Sequence, residues 1–140
     1  MDVVIPTGTA NLASVMAAFD RLNVRLVPAD RPDDVERADR VVVPGVGTFG
    51  AAMDTLAARD LVSVVRERIE SGRPTLAICV GMQILASSSS ESEGRIGLGV
   101  AGGTVSRFDD DLIVPQLAWS RVSPPATSSL VEPGWAYFAN

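Results

Sequence analysis

The chain has 140 residues, 46% of them apolar, and a mean hydropathy of +0.23, which suits about one packed domain and excludes a disordered tail. Its twelve basic residues are all arginine, it has no histidine and a single cysteine, Cys79, and its net charge is −5. That composition excludes a lysine-dependent Walker A loop, a zinc site built on Cys and His, and an internal disulfide framework. The acidic balance argues against nucleic acid, whose phosphates need a basic face. No apolar run approaches the ~20 residues of a membrane span. Met1-Asp2 leads into a strand-like run without a basic leader, and a lone thiol fits a reducing compartment, so a cytoplasmic location is expected. No metal or other cofactor is expected.

In chain order, Val3-Val4-Ile5 predicts a short buried strand ended by Pro6-Thr7-Gly8. Leu12, Val15, Met16, Phe19 and Leu22 recur at helical spacing, with Thr9 or Asn11 as the cap. Residues 24–27 predict a second strand, and Pro32-Asp33-Asp34 opens a short helix with acids in its first turn. Val41-Val42-Val43 predicts a third strand, stopped by Pro44-Gly45. Phe49, Met53 and Leu56 then form one apolar stripe, and Leu61, Val65 and Ile69 another, the second capped by Asp60 and ended by Gly72. Residues 75–78 predict a fourth strand, with a helix from Met82 to Ala86.

Strands separated by helices of this length form βαβ units, so the fold class is α/β, a mostly parallel sheet flanked by helices. From Ser87 the pattern changes. Ser87 to Ser90 reads as a surface loop, and residues 104–108, 112–114 and 117–122 read as added antiparallel strands. Asp109-Asp110-Asp111 reads as a solvated hairpin turn, and Trp119 and Trp135 as core residues, with a partner contact the other role open to Trp119. No repeat or linker divides the chain, so residues 1–140 are expected to form a single domain.

Ala77-Ile78-Cys79-Val80-Gly81 falls where a strand ends and a helix begins. A turn that tight holds its central residue in a strained conformation at the carboxyl edge of the sheet, with small residues two positions to either side. Ala77 and Gly81 meet that requirement. At a helix start the dipole and free N–H groups favour the Cys79 thiolate, and the Val80 N–H is placed to be an oxyanion donor. Pro44-Gly45-Val46-Gly47 leaves the preceding strand at the same edge, where glycines let backbone N–H groups turn toward a substrate. Gly45 to Gly50 also spells G-x-G-x-x-G, but no acid ends the following strand as the dinucleotide fingerprint requires. Gly97 to Gly102 spells it again with no strand before it.

Val43-Pro44-Gly45-Val46-Gly47-Thr48-Phe49-Gly50 with Ile78-Cys79-Val80-Gly81-Met82-Gln83 resembles the class I (triad) glutamine amidotransferases. Within that family the pairing of P-G-V-G with C-x-G-M-Q resembles the glutaminase subunits of imidazole glycerol phosphate synthases. Asn11-Leu12, Ser14, Gly97-Leu98-Gly99, Val114-Pro115, Trp119 and Tyr137-Phe138 extend the likeness along the chain. The resemblance implies a flavodoxin-like sheet with added antiparallel strands. It implies L-glutamine as substrate, and ammonia passed to a β/α-barrel cyclase in a heterodimer that makes imidazole glycerol phosphate and AICAR for histidine biosynthesis. By the same resemblance Cys79 is the nucleophile, backbone groups at Val46 or Gly47 and at Val80 hold the oxyanion, and Gly45 and Gln83 meet the substrate.

Two segments depart from the pattern. Pro6-Thr7-Gly8-Thr9 stands where the family has Asp-Tyr-Gly, and Gln116-Leu117-Ala118-Trp119-Ser120 stands for His-Met-Gly-Trp-Asn near the partner interface. The family's catalytic His and Glu have no counterpart in these residues, so the chain is expected to be a C-terminally incomplete domain and nearly inactive alone. A non-catalytic docking module for the barrel partner and a nucleotide-binding α/β domain are the alternative readings.

Overall fold

The computed structural model describes residues 1–8, 11–109 and 111–140, and these fall into two compact units, Met1–Arg107 and Phe108–Asn140. Thr9, the alternative helix cap, and Asp110 of the acidic run lie outside the described residues.

The first unit is built on four parallel strands, β1 (Asp2–Val4), β2 (Leu26–Pro28), β3 (Arg40–Gly45) and β4 (Thr75–Cys79), in the order β2-β1-β3-β4. Side chains alternate across the sheet. Val3, Val41 and Val43 face one layer with Phe49, Leu56, Leu61 and Val65, all essentially without solvent exposure. Val4, Leu26 and Val42 face the other, under Leu12, Val15, Met16 and Phe19 of α1 (Leu12–Asp20). Helices α2 (Pro32–Arg37), α3 (Phe49–Ala58) and α4 (Leu61–Glu70) complete the layers, so the α/β class with a mostly parallel, helix-flanked sheet is as expected. Burying each large apolar side chain contributes about 1.5–3 kcal/mol.

Capping explains several boundaries. The Asn11 side chain accepts from Ser14 N, and Gly72, at φ +71°, ends α4 with its N–H on Ile69 O. Asp60 does not cap α4 through its side chain. It sits in the left-handed region (φ 57°, ψ 26°), whereas a capping side chain needs extended backbone; its role is the tight corner from α3 into α4. Helix α1 stops at Asp20, and Leu22 is left exposed before Asn23 takes a positive φ.

Two ionic features tie the sheet's amino edge. Arg40 grips Asp2 through two hydrogen bonds of 3.0 and 2.6 Å, across the β1–β3 register that pairs these residues. The Arg40 hydrogen bond holds the Asp2 carboxyl below the ordinary carboxylate range. This contribution to stability is therefore present above that range and lost as pH falls through the lowered value. Arg68 of α4 is 2% exposed and donates to four carbonyls, Val35, Ala38, Asp39 and Pro74, at 2.8–3.1 Å. Burial lowers its pKa. These carbonyls precede β3 and β4, so one guanidinium fork sets the entry of both. Arg68→Met should lower stability by about 3 kcal/mol or more in urea unfolding, because carbonyls left unpaired in the interior cost about 1–3 kcal/mol each. Unchanged stability would show that water replaces the fork freely.

The chain beyond Cys79 departs from expectation in detail. Helix α5 is one turn, Val80–Gln83, starting directly after the cysteine rather than at Met82, and 3₁₀-type bonds from Leu85 and Ala86 N to Met82 and Gln83 O wind it down. The serine run is not an open loop. Its β5 (Ser88–Ser89) pairs in parallel with β6 (Thr104–Val105), and Ser89 is buried. Residues 112–114 form no strand. The antiparallel pair is β7 (Leu117–Val122) with β8 (Gly134–Ala139), which forms the second unit's hairpin. Trp119 and Trp135 are 66% and 67% exposed rather than core, because alternation puts both on one side of a two-stranded ribbon. Trp119 meets Tyr137 edge to face at 5.8 Å.

Candidate active site at the β3 and β4 carboxyl ends

Cys79 ends β4 with φ 54° and ψ −119°, and its side chain is exposed. Asn23 and Asp60 also have positive φ, but the Cys79 ψ lies far from the left-handed helical well that Asp60 occupies. A side-chain-bearing residue held in such a conformation costs about 1–3 kcal/mol and persists only where its surroundings fix it.

Those surroundings are backbone packed on backbone. A Cβ on Gly81 would lie 1.9 Å from Val43 O, and one on Gly45 would lie 2.7 Å from Gly81 N and 3.0 Å from Val80 Cβ. The β3–β4 register pairs Gly45 directly with Cys79. The glycine turn therefore leaves β3 beside the cysteine, one strand spacing of ~4.8 Å away. Ala77, half-buried, packs against the main core. Gly81→Ala should cost about 3 kcal/mol or more, at the upper end of overpacking, and should show as a lowered Tm. A Tm within a degree of the parent would mean that the elbow tolerates a shift of β3.

The turn after β3 is anchored on both sides. Thr7, fully buried in the altered first loop, donates its hydroxyl to Pro44 O at 2.8 Å. Gly47 has φ +89°, a conformation glycine adopts without strain, and Val46 and Gly47 are exposed. On the far side Thr48 caps α3, accepting from Ala51 N, while Phe49 N donates to Glu91 Oε2 at 3.2 Å and Gly50 N to Ser92 Oγ at 3.0 Å. These first N–H groups of α3 are thus occupied, and by a carboxylate among others. A dinucleotide phosphate needs them open, which removes the basis for reading residues 45–50 as a nucleotide fingerprint. Gly97 of the second G-x-G-x-x-G serves packing, since a Cβ there would meet Ala86 O at 2.1 Å.

Val80 is the first residue of α5, so its N–H has no acceptor within the helix. Its side chain is buried, which fixes that N–H beside Cys79. One turn carries little macrodipole, so what α5 brings to the site is this N–H beside the sulfur rather than the dipole expected from the sequence. Gln83 ends the same turn, half-buried, and Met82 beside it is exposed. The structure thus brings Cys79, Val80 and Gly45 together, with Val46 and Gly47 following directly in the turn. Thr7, Glu91 and Ser92 are the residues sequence reasoning missed. Their contacts bridge 37 to 42 positions, a separation at which spacing carries no signal. Surface hollows lined by Val64, Glu67 and Arg68, and by Asp60, Val62 and Arg66, flank α4 and include none of the site residues.

Comparisons with known proteins identify the family and the fold. The family model "Glutamine amidotransferase class-I" matches residues 4–117. The chain is 42% identical over 140 residues to "Imidazole glycerol phosphate synthase subunit HisH" of Symbiobacterium thermophilum, covering 97% of this chain and 66% of that protein. It is 38% identical to the protein of the same name from Cyanothece sp., covering 98% and 68%, and 37% identical to that from Bacillus velezensis, covering 98% and 69%. The chain thus spans about two thirds of the length of these relatives. Among solved structures, a glutamine amidotransferase crystal structure superposes with TM-score 0.72 over 98% of this chain and 70% of that one at 18% identity. A putative peptidase E from Listeria monocytogenes gives 0.53 over 61% and 50% at 16% identity. At these identities the likeness is one of fold.

Proposed function

The chain belongs to the class-I glutamine amidotransferase family, and from that premise we propose that it carries the nucleophile half of a glutaminase that supplies ammonia to a synthase partner. The observation that carries this reading is the strained, exposed Cys79 in register with Gly45.

In this mechanism Cys79 Sγ attacks the side-chain amide carbon of L-glutamine. The new C–S bond pushes charge onto the amide oxygen, which the N–H of Val80 and that of Val46 or Gly47 receive. As the C–N bond breaks, the leaving nitrogen takes a proton and departs as ammonia, leaving a γ-glutamyl thioester. Water then cleaves the thioester, giving glutamate and the free thiol. Gly45 and Gln83 line the substrate's approach. The chemistry needs no cofactor. It does need a proton carrier, and the 140 residues hold no histidine, so that group comes from outside them, in line with residues 1–140 being part of a larger amidotransferase domain.

The relatives are named as synthase subunits, which supports a partner. We assign that role to a β/α-barrel cyclase that uses the ammonia to form imidazole glycerol phosphate and AICAR, in a cytoplasmic heterodimer. The described helices include none long and apolar enough to cross a membrane. The exposed face of the hairpin, with Leu117, Trp119, Trp135 and Tyr137, supports docking, and it also favours the second reading, a module that docks without catalysing. Gel filtration with the cyclase, followed by alkylation of Cys79 with and without L-glutamine, separates the two. Glutamine that slows alkylation supports the enzyme; co-elution with no glutamine protection supports the docking module.

A further inference from the structure

Resting on the reading of Cys79 and the glycine turn as a nucleophile and its oxyanion donors, we infer that the strap at residues 89–95 holds that turn in place, with Ser92 as a positioning residue. The turn has two ends. Its β3 end is fixed by the strand register and by Thr7. Its other end is the start of α3, and two of the first three N–H groups there are held by the strap: Phe49 N by the Glu91 carboxylate and Gly50 N by the Ser92 hydroxyl.

The strap is itself built for this. The buried Ser89 accepts from Glu91 N through its hydroxyl at 3.2 Å and from Ser92 N through its carbonyl at 3.2 Å. Ser90 N and Ser87 N bond across to Val105 O and Gly103 O, which fixes the strand that precedes it. One turn further along α3, Arg95 bonds Asp54 at 3.0 Å. The fit leaves no slack, since a Cβ on Gly50 would lie 3.1 Å from Ser92 Oγ and 3.4 Å from Arg95 Cγ. Val46 and Gly47 lie two to four residues from the held N–H groups, so a loosened strap releases the donors it leads to. Oxyanion donors work by being aimed before the charge forms, and a small misplacement is costly.

The test compares the chain with S92A and S92T. Two probes read Cys79: a glutamine-derived chloroketone and iodoacetamide. Sulfur adds to the ketone carbon and puts charge on its oxygen before chloride leaves and the thioether forms. Iodoacetamide is attacked by direct displacement of iodide and needs no oxyanion donor. Amide exchange of residues 46–50 is followed by NMR. In S92A the exchange at Gly50 should rise about tenfold and the chloroketone rate should fall about tenfold. The iodoacetamide rate should hold, and S92T should restore both affected values. Parental exchange and rates in S92A would overturn the inference, as would faster exchange with an unchanged chloroketone rate. Should the parent chain not prefer the chloroketone, the reading of the site fails separately. The strap is then judged on the exchange of residues 46–48 alone: faster exchange in S92A supports it, and unchanged exchange overturns it.

Discussion

Cys79→Ser is expected to reduce covalent capture of a glutamine-derived chloroketone to the background of the chain's other nucleophiles. Cys79 is the sole cysteine, so no second thiol can take over. A thiol at neutral pH holds a few per cent of its population as thiolate, whereas a serine hydroxyl has almost none and depends wholly on a neighbouring base. Serine is close to isosteric, and the elbow's tightness lies in Gly81 and Gly45 rather than in the sulfur, so the fold should survive. Intact mass spectrometry reads the adduct and far-ultraviolet circular dichroism checks the fold. Full labelling of the serine variant would place the reactive group elsewhere.

The second large effect concerns proton transfer. The 140-residue chain should release ammonia from L-glutamine about 10²–10⁴-fold more slowly than a relative that carries its own base, the usual worth of general acid–base catalysis. Cys79 is exposed, so a small base can reach it. Millimolar imidazole should therefore raise the rate in proportion to its concentration, and C79S should abolish that response. Turnover near that of the relative without added base would contradict the account, because the chain would then be supplying a proton carrier from a residue other than histidine.

Much of this was legible from local chemistry. The βαβ order, the strand-to-helix turn at Cys79 and the small residues Ala77 and Gly81 follow from apolar period and from turn stereochemistry, which act within a few residues. Gly81 illustrates why: the clash that any Cβ there would make with Val43 O is the long-range counterpart of a local demand for a side-chain-free position. What escaped was set by tertiary contact. The Glu91 and Ser92 contacts to α3, the buried Thr7 and the four-carbonyl grip of Arg68 join residues far apart in sequence. A serine run likewise reads as polar loop until pairing with Thr104–Val105 closes it into a strand. The exposed tryptophans failed differently. Aromatic residues in short strands read as core, while only the structure shows that a two-stranded ribbon leaves this face exposed.

Whether the glycine turn and Val80 face the reacting carbonyl is read from the crystal structure of this chain after its Cys79 has reacted with the glutamine-derived chloroketone. The adduct's ketone oxygen should lie within about 3 Å of Val80 N and of Val46 or Gly47 N, the separation at which such donors act. An adduct whose oxygen points to solvent, with neither N–H group facing it, would contradict that arrangement.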